Sequence, residues 1–341
     1  MNPRYFVLAT ALALTLSASA TAQAPPAVGP APSVAPVPAL TPVPSTVPAP
    51  PAPSPGSRTV TSIRNKISAA DLPSAESILE VHRERDGEDG YYLIGLGWLS
   101  RGALLLGETA RARELNAELR RLCDARLAKG AVLAKDDSLE TALGAAIEVQ
   151  AQLLAREKGP EAGAAWLRGE IAKFPGPVAF RSRLYKRLNL LALTGSPAPE
   201  LAVEDFVGSK PAALSALRGR PVVLFVWSAT CGDCKAQSAS LGRVARKYSD
   251  KGLAVVPLTR YYEEGAAERA KEKAVVDSVW KAAYAPVGPP SIVVSTASME
   301  RYGGSSTPTF VFIDKRGVVK GYTATRLTEA RLAGAVEDLL R

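Results

Sequence analysis

Two cysteines with two residues between them, Cys231-Gly232-Asp233-Cys234, are the only pair in the chain at motif spacing. Thiol-disulfide exchange needs such a pair: one thiolate to attack, and a second sulfur close enough to close a small ring and displace the product. Before them runs Pro221-Val222-Val223-Leu224-Phe225-Val226-Trp227, continuously apolar, which reads as a strand buried on both faces. After them, Lys235 to about Lys247 reads as a helix with Leu241, Val244 and Tyr248 on one face. Cys231 therefore falls where a buried strand hands over to a helix N-terminus. The free N–H groups and positive dipole end there favour an anion, and for cysteine that anion is the attacking thiolate.

Composition removes competing chemistries. The chain has three cysteines and one histidine in 341 residues. Lys235 follows Cys234, so the attachment motif of a c-type haem is absent. No second Cys or His pair completes a four-ligand zinc site, and neither a metal nor a bound cofactor is expected. His82, between Val81 and Arg83, reads as a surface helix residue, which leaves a Ser-His-Asp triad without its base. The net charge of +9 is spread along the chain without a basic cluster, so nucleic acid is not an expected partner. Hydrophobic residues make up 47% of the chain, enough for real cores, and the length argues for two domains.

The elements that must position the pair can be taken in order. Residues 1–20 carry Arg4, an apolar run from Tyr5 to Leu16 and Ser17-Ala18-Ser19-Ala20. This reads as a cleaved secretory signal peptide, with a retained membrane tether as the alternative, and places the mature protein in the periplasm or another exported compartment. Residues 21–57 are rich in Pro and Ala and uncharged, and read as an extended polyproline spacer. Residues 58–195 read as an all-α region, with helices near 73–84, 90–106, 109–129, 138–158, 161–174 and 178–193 broken by Gly and Pro. The loose recurrence of Leu104–Ala112 in Ala155–Ala164 suggests stacked, tetratricopeptide-like helical hairpins. Their role is open between a docking surface for a partner and a stabilising layer. Trp98, Trp166 and Tyr91-Tyr92 read as packing residues, and Cys123 as a buried helix cysteine.

Residues 196–341 read as strand, helix, strand, helix, strand, two strands joined by Lys315-Arg316-Gly317, and a closing helix from Thr328 to Leu340. That is an α/β domain with a mixed sheet flanked by helices.

This last stretch resembles the thioredoxin-like superfamily, and most of all its exported TlpA/ResA-type thiol-disulfide oxidoreductases. The residues that carry the resemblance are Gly195-Ser196-Pro197-Ala198-Pro199, Val226-Trp227, Cys231-Gly232-Asp233-Cys234-Lys235, Tyr302-Gly303 and Thr307-Pro308 followed by Thr309–Asp314 and Gly317. The resemblance implies that Cys231 is the exposed nucleophile and Cys234 the shielded resolving thiol. It implies that Pro308 is a cis-proline facing the motif and that Thr307 offers its backbone to an extended substrate. It also implies partners: protein thiols and disulfides, and an upstream membrane or soluble electron donor.

The pattern departs from the family at several positions. Thr230 stands where many relatives have Trp, and Ala239 where they have a kink-forming proline. Phe225 and Gln237 occupy the two positions where relatives place a carboxylate that accepts the Cys234 proton. Deprotonation then falls to water, Lys235 or Asp233. Asp233 sets a negative charge near the Cys231 thiolate, raising its pKa and favouring the disulfide, so a reducing pair is expected. Leu224 stands where a peroxiredoxin needs proline, which argues against that activity. The other reading is a non-enzymatic helical adaptor with a structural disulfide.

Overall fold

The computed structural model describes residues 54–341. The expected signal peptide at 1–20 and most of the expected spacer, 21–53, lie outside the described residues. Among those described, no helix is long and apolar enough to cross a membrane.

Seven helices come first: α1 (Pro55–Ser68), α2 (Leu72–Asp86), α3 (Gly90–Leu105), α4 (Thr109–Ala128), α5 (Asp137–Lys158), α6 (Pro160–Lys173) and α7 (Val178–Ala192). The first corrects the expected spacer, whose last residues are already helical. Ser54 accepts from the Ser57 amide at 3.2 Å and Pro55 sits in the first turn, where its missing N–H costs nothing. Further along α1, beyond the expected spacer, Ile63 and Ile67 bury themselves among the following helices. Proline read as a spacer residue was here a helix start.

His82 is a second correction. It is buried, not on the surface, and continues the inward stripe Leu72, Ala75, Leu79 of α2. Its Nε2 lies 2.8 Å from Asp89 and its Nδ1 3.1 Å from Asp86. Asp89 also caps α3 through the Tyr92 amide, so the imidazole locks the α2–α3 turn and has no place near Cys231. Trp98 and Trp166 are half-buried packing residues, each with a cation over its ring. Tyr92 is buried and Tyr91 lies at the surface.

The remaining chain forms a six-stranded mixed sheet in the order β1-β4-β3-β2-β5-β6. The strands are β1 (Asp205–Gly208), β2 (Val222–Val226), β3 (Ala254–Thr259), β4 (Ser291–Val294), β5 (Thr309–Ile313) and β6 (Val319–Thr323). β2 runs parallel to β3 and antiparallel to β5, so it sits in the middle and every one of its residues is buried. The edge strand β1, unforeseen in the sequence, has a single buried residue, Val207, and hence no apolar run to announce it. Helices α8 (Gly232–Lys247), α9 (Ala266–Val279), α10 (Thr296–Arg301) and α11 (Glu329–Leu340) cover the sheet. The end of α9 passes into a π-helical turn, Trp280–Tyr284. That turn stacks Trp280 on Tyr284 and sets both rings against Trp227.

The helical layer and the sheet meet through α7. Arg181 pairs with Glu300 at 2.8 Å, Lys186 donates to Ser306 Oγ at 2.7 Å, and the Asn189 amide donates to the Arg301 carbonyl at 3.0 Å. All three partners lie in α10 or in the loop between α10 and β5.

Candidate active site

The pairing of β2 with β5 puts the two halves of the site side by side. Val226, the last residue of β2, stands opposite Thr309, the first residue of β5. The segment leaving β2 toward Cys231 and the segment Thr307-Pro308 entering β5 must therefore leave the sheet at the same end. The Thr307–Pro308 peptide is cis, and the Thr307 carbonyl oxygen lies 3.4 Å from Cys231 Sγ. Thr309 Oγ1 donates to the Ser306 carbonyl at 2.8 Å, closing the turn before β5.

Cys231 is the N-cap of α8. Its sulfur accepts from the Cys234 amide at 3.1 Å, and its carbonyl accepts from the Lys235 amide. A sulfur in that position faces the unpaired N–H groups of the first turn, which stabilise negative charge. The two cysteines form a disulfide with a Cα–Cα separation of 5.2 Å. Cys231 is half-buried, whereas Cys234, three residues on in α8's first turn, has no exposed surface and belongs to an apolar cluster of the sheet region. Access thus differs between two sulfurs that are otherwise alike.

Beneath them the floor is aromatic. Phe225, Trp227, Tyr284 and Phe310 lie within 6.4 Å of one another, ring centre to ring centre, along the contacts that join them. Phe225, at the position where relatives carry an acid, is a member of this stack. Gln237, at the other, is buried and stitches α8 to the segment before α11: its Nε2 donates to the Leu327 carbonyl at 3.0 Å and its Oε1 accepts from the Leu327 amide at 2.8 Å. A carboxylate could accept that amide but could not return a hydrogen bond to the carbonyl; the neutral side chain suits this structural use.

The other candidate residues lie on the rim. Thr230 is exposed, its hydroxyl 3.1 Å from Ser228 Oγ. Asp233 and Lys235 are exposed on the first turn of α8. Asp233 has a counter-charge that the sequence did not suggest, Arg326, at 3.5 Å. The third cysteine, Cys123, is free and buried in α4, and burial pushes its thiol up to about 12.

In front of Cys231 lies a cavity of about 500 Å³. Thr230, Cys231 and Thr307 form one side, and Val178, Ser182 and Arg183 of α7 form another. The contribution of α7 was not legible in the sequence, because more than a hundred residues separate Lys186 from Ser306. The close fit has one local signature. Gly303 has φ +69, and a Cβ there would come within 2.6 Å of the Lys186 Cα.

Residues 193–337 match the family model described as Redoxin. No curated protein matches the chain. Among solved structures, the chain is similar to a thiol-disulfide isomerase from Corynebacterium glutamicum, 18% identical, covering 42% of this chain and 96% of that one with a TM-score of 0.37. It is similar to the exposed lipoprotein thioredoxin of Streptococcus pneumoniae, 24% identical over 40% of this chain and 100% of that one, TM-score 0.33. It is also similar to a secreted disulfide oxidoreductase of Mycobacterium tuberculosis, 20% identical over 39% and 94%, TM-score 0.31. The Redoxin match thus falls on the six-stranded mixed sheet and its covering helices, the part of the chain that carries Cys231 and Cys234.

Proposed function

We propose that this protein is an exported reductase of protein disulfides, with residues 58–195 as a helical-hairpin domain and 196–341 as the redox domain. The reading is carried by the asymmetry of the two sulfurs, one half-open at the cap of α8 and the other sealed. In the dithiol form, the Cys231 thiolate attacks a partner disulfide. A mixed disulfide forms and one partner thiolate leaves. Cys234 then gives up its proton and attacks Cys231 Sγ, releasing the second partner thiol and leaving the Cys231–Cys234 disulfide. Two electrons pass to the partner, and an external dithiol donor restores the protein.

Thr307, Pro308 and Thr230 hold the substrate segment, and Asp233 and Lys235 tune the sulfur. The reducing direction rests on Asp233, whose charge disfavours the thiolate and so favours the disulfide. Export rests on the apolar run from Tyr5 to Leu16 and its small-residue end. The test is trapping. Cys234→Ser, exposed to disulfide-bonded protein in the exported compartment, should accumulate a mixed disulfide through Cys231, and Cys231→Ser should not. Equal trapping by both variants rejects the roles given to the two cysteines.

A further inference from the structure

We infer that α7 of the helical region forms a specificity-determining wall of the substrate cleft, and that Arg183 and Arg260 select target segments with carboxylate side chains beside the cysteine. The inference rests on the exchange reading above.

Three observations support it. The cavity in front of Cys231 is lined from the helical side by Val178, Ser182 and Arg183, so a segment seated in it lies against α7. That wall is held in place by Arg181, Lys186 and Asn189, which bond to α10 and to the loop leading into Thr307. The cleft is also positive. Arg260 follows the carboxyl end of β3, beside the carboxyl end of β2 from which the Cys231 loop departs, and lies over the Tyr262 ring at 4.3 Å. Arg183 faces the cavity from α7, with Glu140 at 3.7 Å as its nearest counter-charge. The one carboxylate lining the cavity, Glu300, is committed to Arg181. Two guanidiniums thus have room for a carboxylate, and planar forks of that kind bind carboxylates well. A second cavity, of about 610 Å³, shares Val178, Arg260 and Tyr262 with the first. That second cavity carries Glu204, Asp205, Glu263 and Glu264 beside Arg269 and Lys273, so the positive stretch is confined to the cavity in front of Cys231.

The test uses the full chain, pre-reduced, and two symmetric peptide disulfides that differ only in carrying Glu or Lys on both sides of the cysteine. One protein dithiol is oxidised for each two peptide thiols released, and the second-order rate is read from that release. At low salt the Glu peptide should react about tenfold faster, a ratio that shrinks as salt screens the cleft. Arg183→Gln and Arg260→Gln should each cut the ratio to about threefold, while Arg183→Lys should largely keep it. Equal rates in the native protein, or a Glu preference that survives both Gln replacements together, overturn the inference without touching the exchange reading. A ratio that responds to Arg260 alone overturns the part given to α7. If neither peptide reacts, the exchange reading falls and this one with it. The native comparison and its salt dependence need no variant, so a poorly folding substitution cannot rescue the idea.

Discussion

The two regions of the described structure bury their chemistry in opposite ways. In the helical layer, charge goes inside with its partner. Glu148, 5% exposed, bonds Arg101 and Arg187, and Glu170, 1% exposed, bonds Arg120 and Lys173. Under the sulfurs of the sheet region the buried layer is aromatic. The difference fits the roles proposed for each. A resolving thiol stays protonated in apolar surroundings, which separates it from a neighbour that sits against a helix N-terminus. A wall that holds a cleft open can tolerate buried charge, provided every member is paired. Cys123 and Cys231 make the contrast within one residue type: a mid-helix thiol pushed up by burial, against a sulfur at a helix cap.

The largest expected effect separates those two cysteines. Cys231→Ser should bring disulfide exchange to the uncatalysed background, and Cys123→Ala should leave the rate unchanged. Loss of exchange in the Cys123 variant would break the contrast. Next comes the charged interior. Glu148→Ala strands two arginines that are themselves largely covered, and should lower unfolding stability by about 3 kcal/mol in urea titration. Lys271→Ala, which removes an exposed pair with Glu268 on α9, should cause no measurable change. Equal effects would mean that buried pairing in the helical layer contributes nothing special.

Much of this division was legible in residue order, because its signals are local. The run before Cys231 announced β2, and the change of period after it announced α8. The placement of Thr307-Pro308 opposite Cys231 came from the family resemblance and not from a local signal. The helices from α2 to α7 showed themselves through spacing and Gly or Pro breaks. What escaped was either short or distant. β1 offers a single buried residue, and α1 begins at a proline that composition assigned to the spacer. His82 sat in plain view on the Leu72-Ala75-Leu79 stripe, and was misplaced because its type outweighed its position. The docking of α7 has no local signal at all, since it joins residues far apart in the chain.

That junction is where the comparison can be sharpened. Gly303→Ala would put a methyl against the Lys186 backbone at a positive φ, and should cost about 1–3 kcal/mol while slowing exchange. Full activity together with full stability would mean that the helical layer and the loop before Thr307 are not coupled. Lys186 gives the same junction a pH signature. Burial, helped by Arg187, lowers its pKa to about 8. The unfolded chain, with an ordinary lysine near about 10.4, binds more protons between those values, so stability rises with pH through that window. The penalty is in full force below about pH 8. Lys186→Met should remove this rise, measured as urea midpoints at pH 7.5 and 10 for both proteins. An identical rise in the variant would assign it to other groups.

The smallest expected effect lies on the sheet side, and it tests whether rim charge matters once a counter-ion is present. Asp233, 66% exposed, opposes the thiolate that α8 stabilises, but Arg326 stands 3.5 Å away and offsets part of that charge. Removing the carboxylate favours the thiolate, hence the dithiol, so Asp233→Asn should raise the reduction potential. An exposed interaction of this kind is worth under about 1 kcal/mol, which for a two-electron couple is about 20 mV. Arg326→Ala should move the potential the other way by less, since it leaves Asp233 unopposed but already well solvated. A fall in potential on removing Asp233 would reverse the sign of the electrostatic argument, and with it the ground for placing this pair on the reducing side.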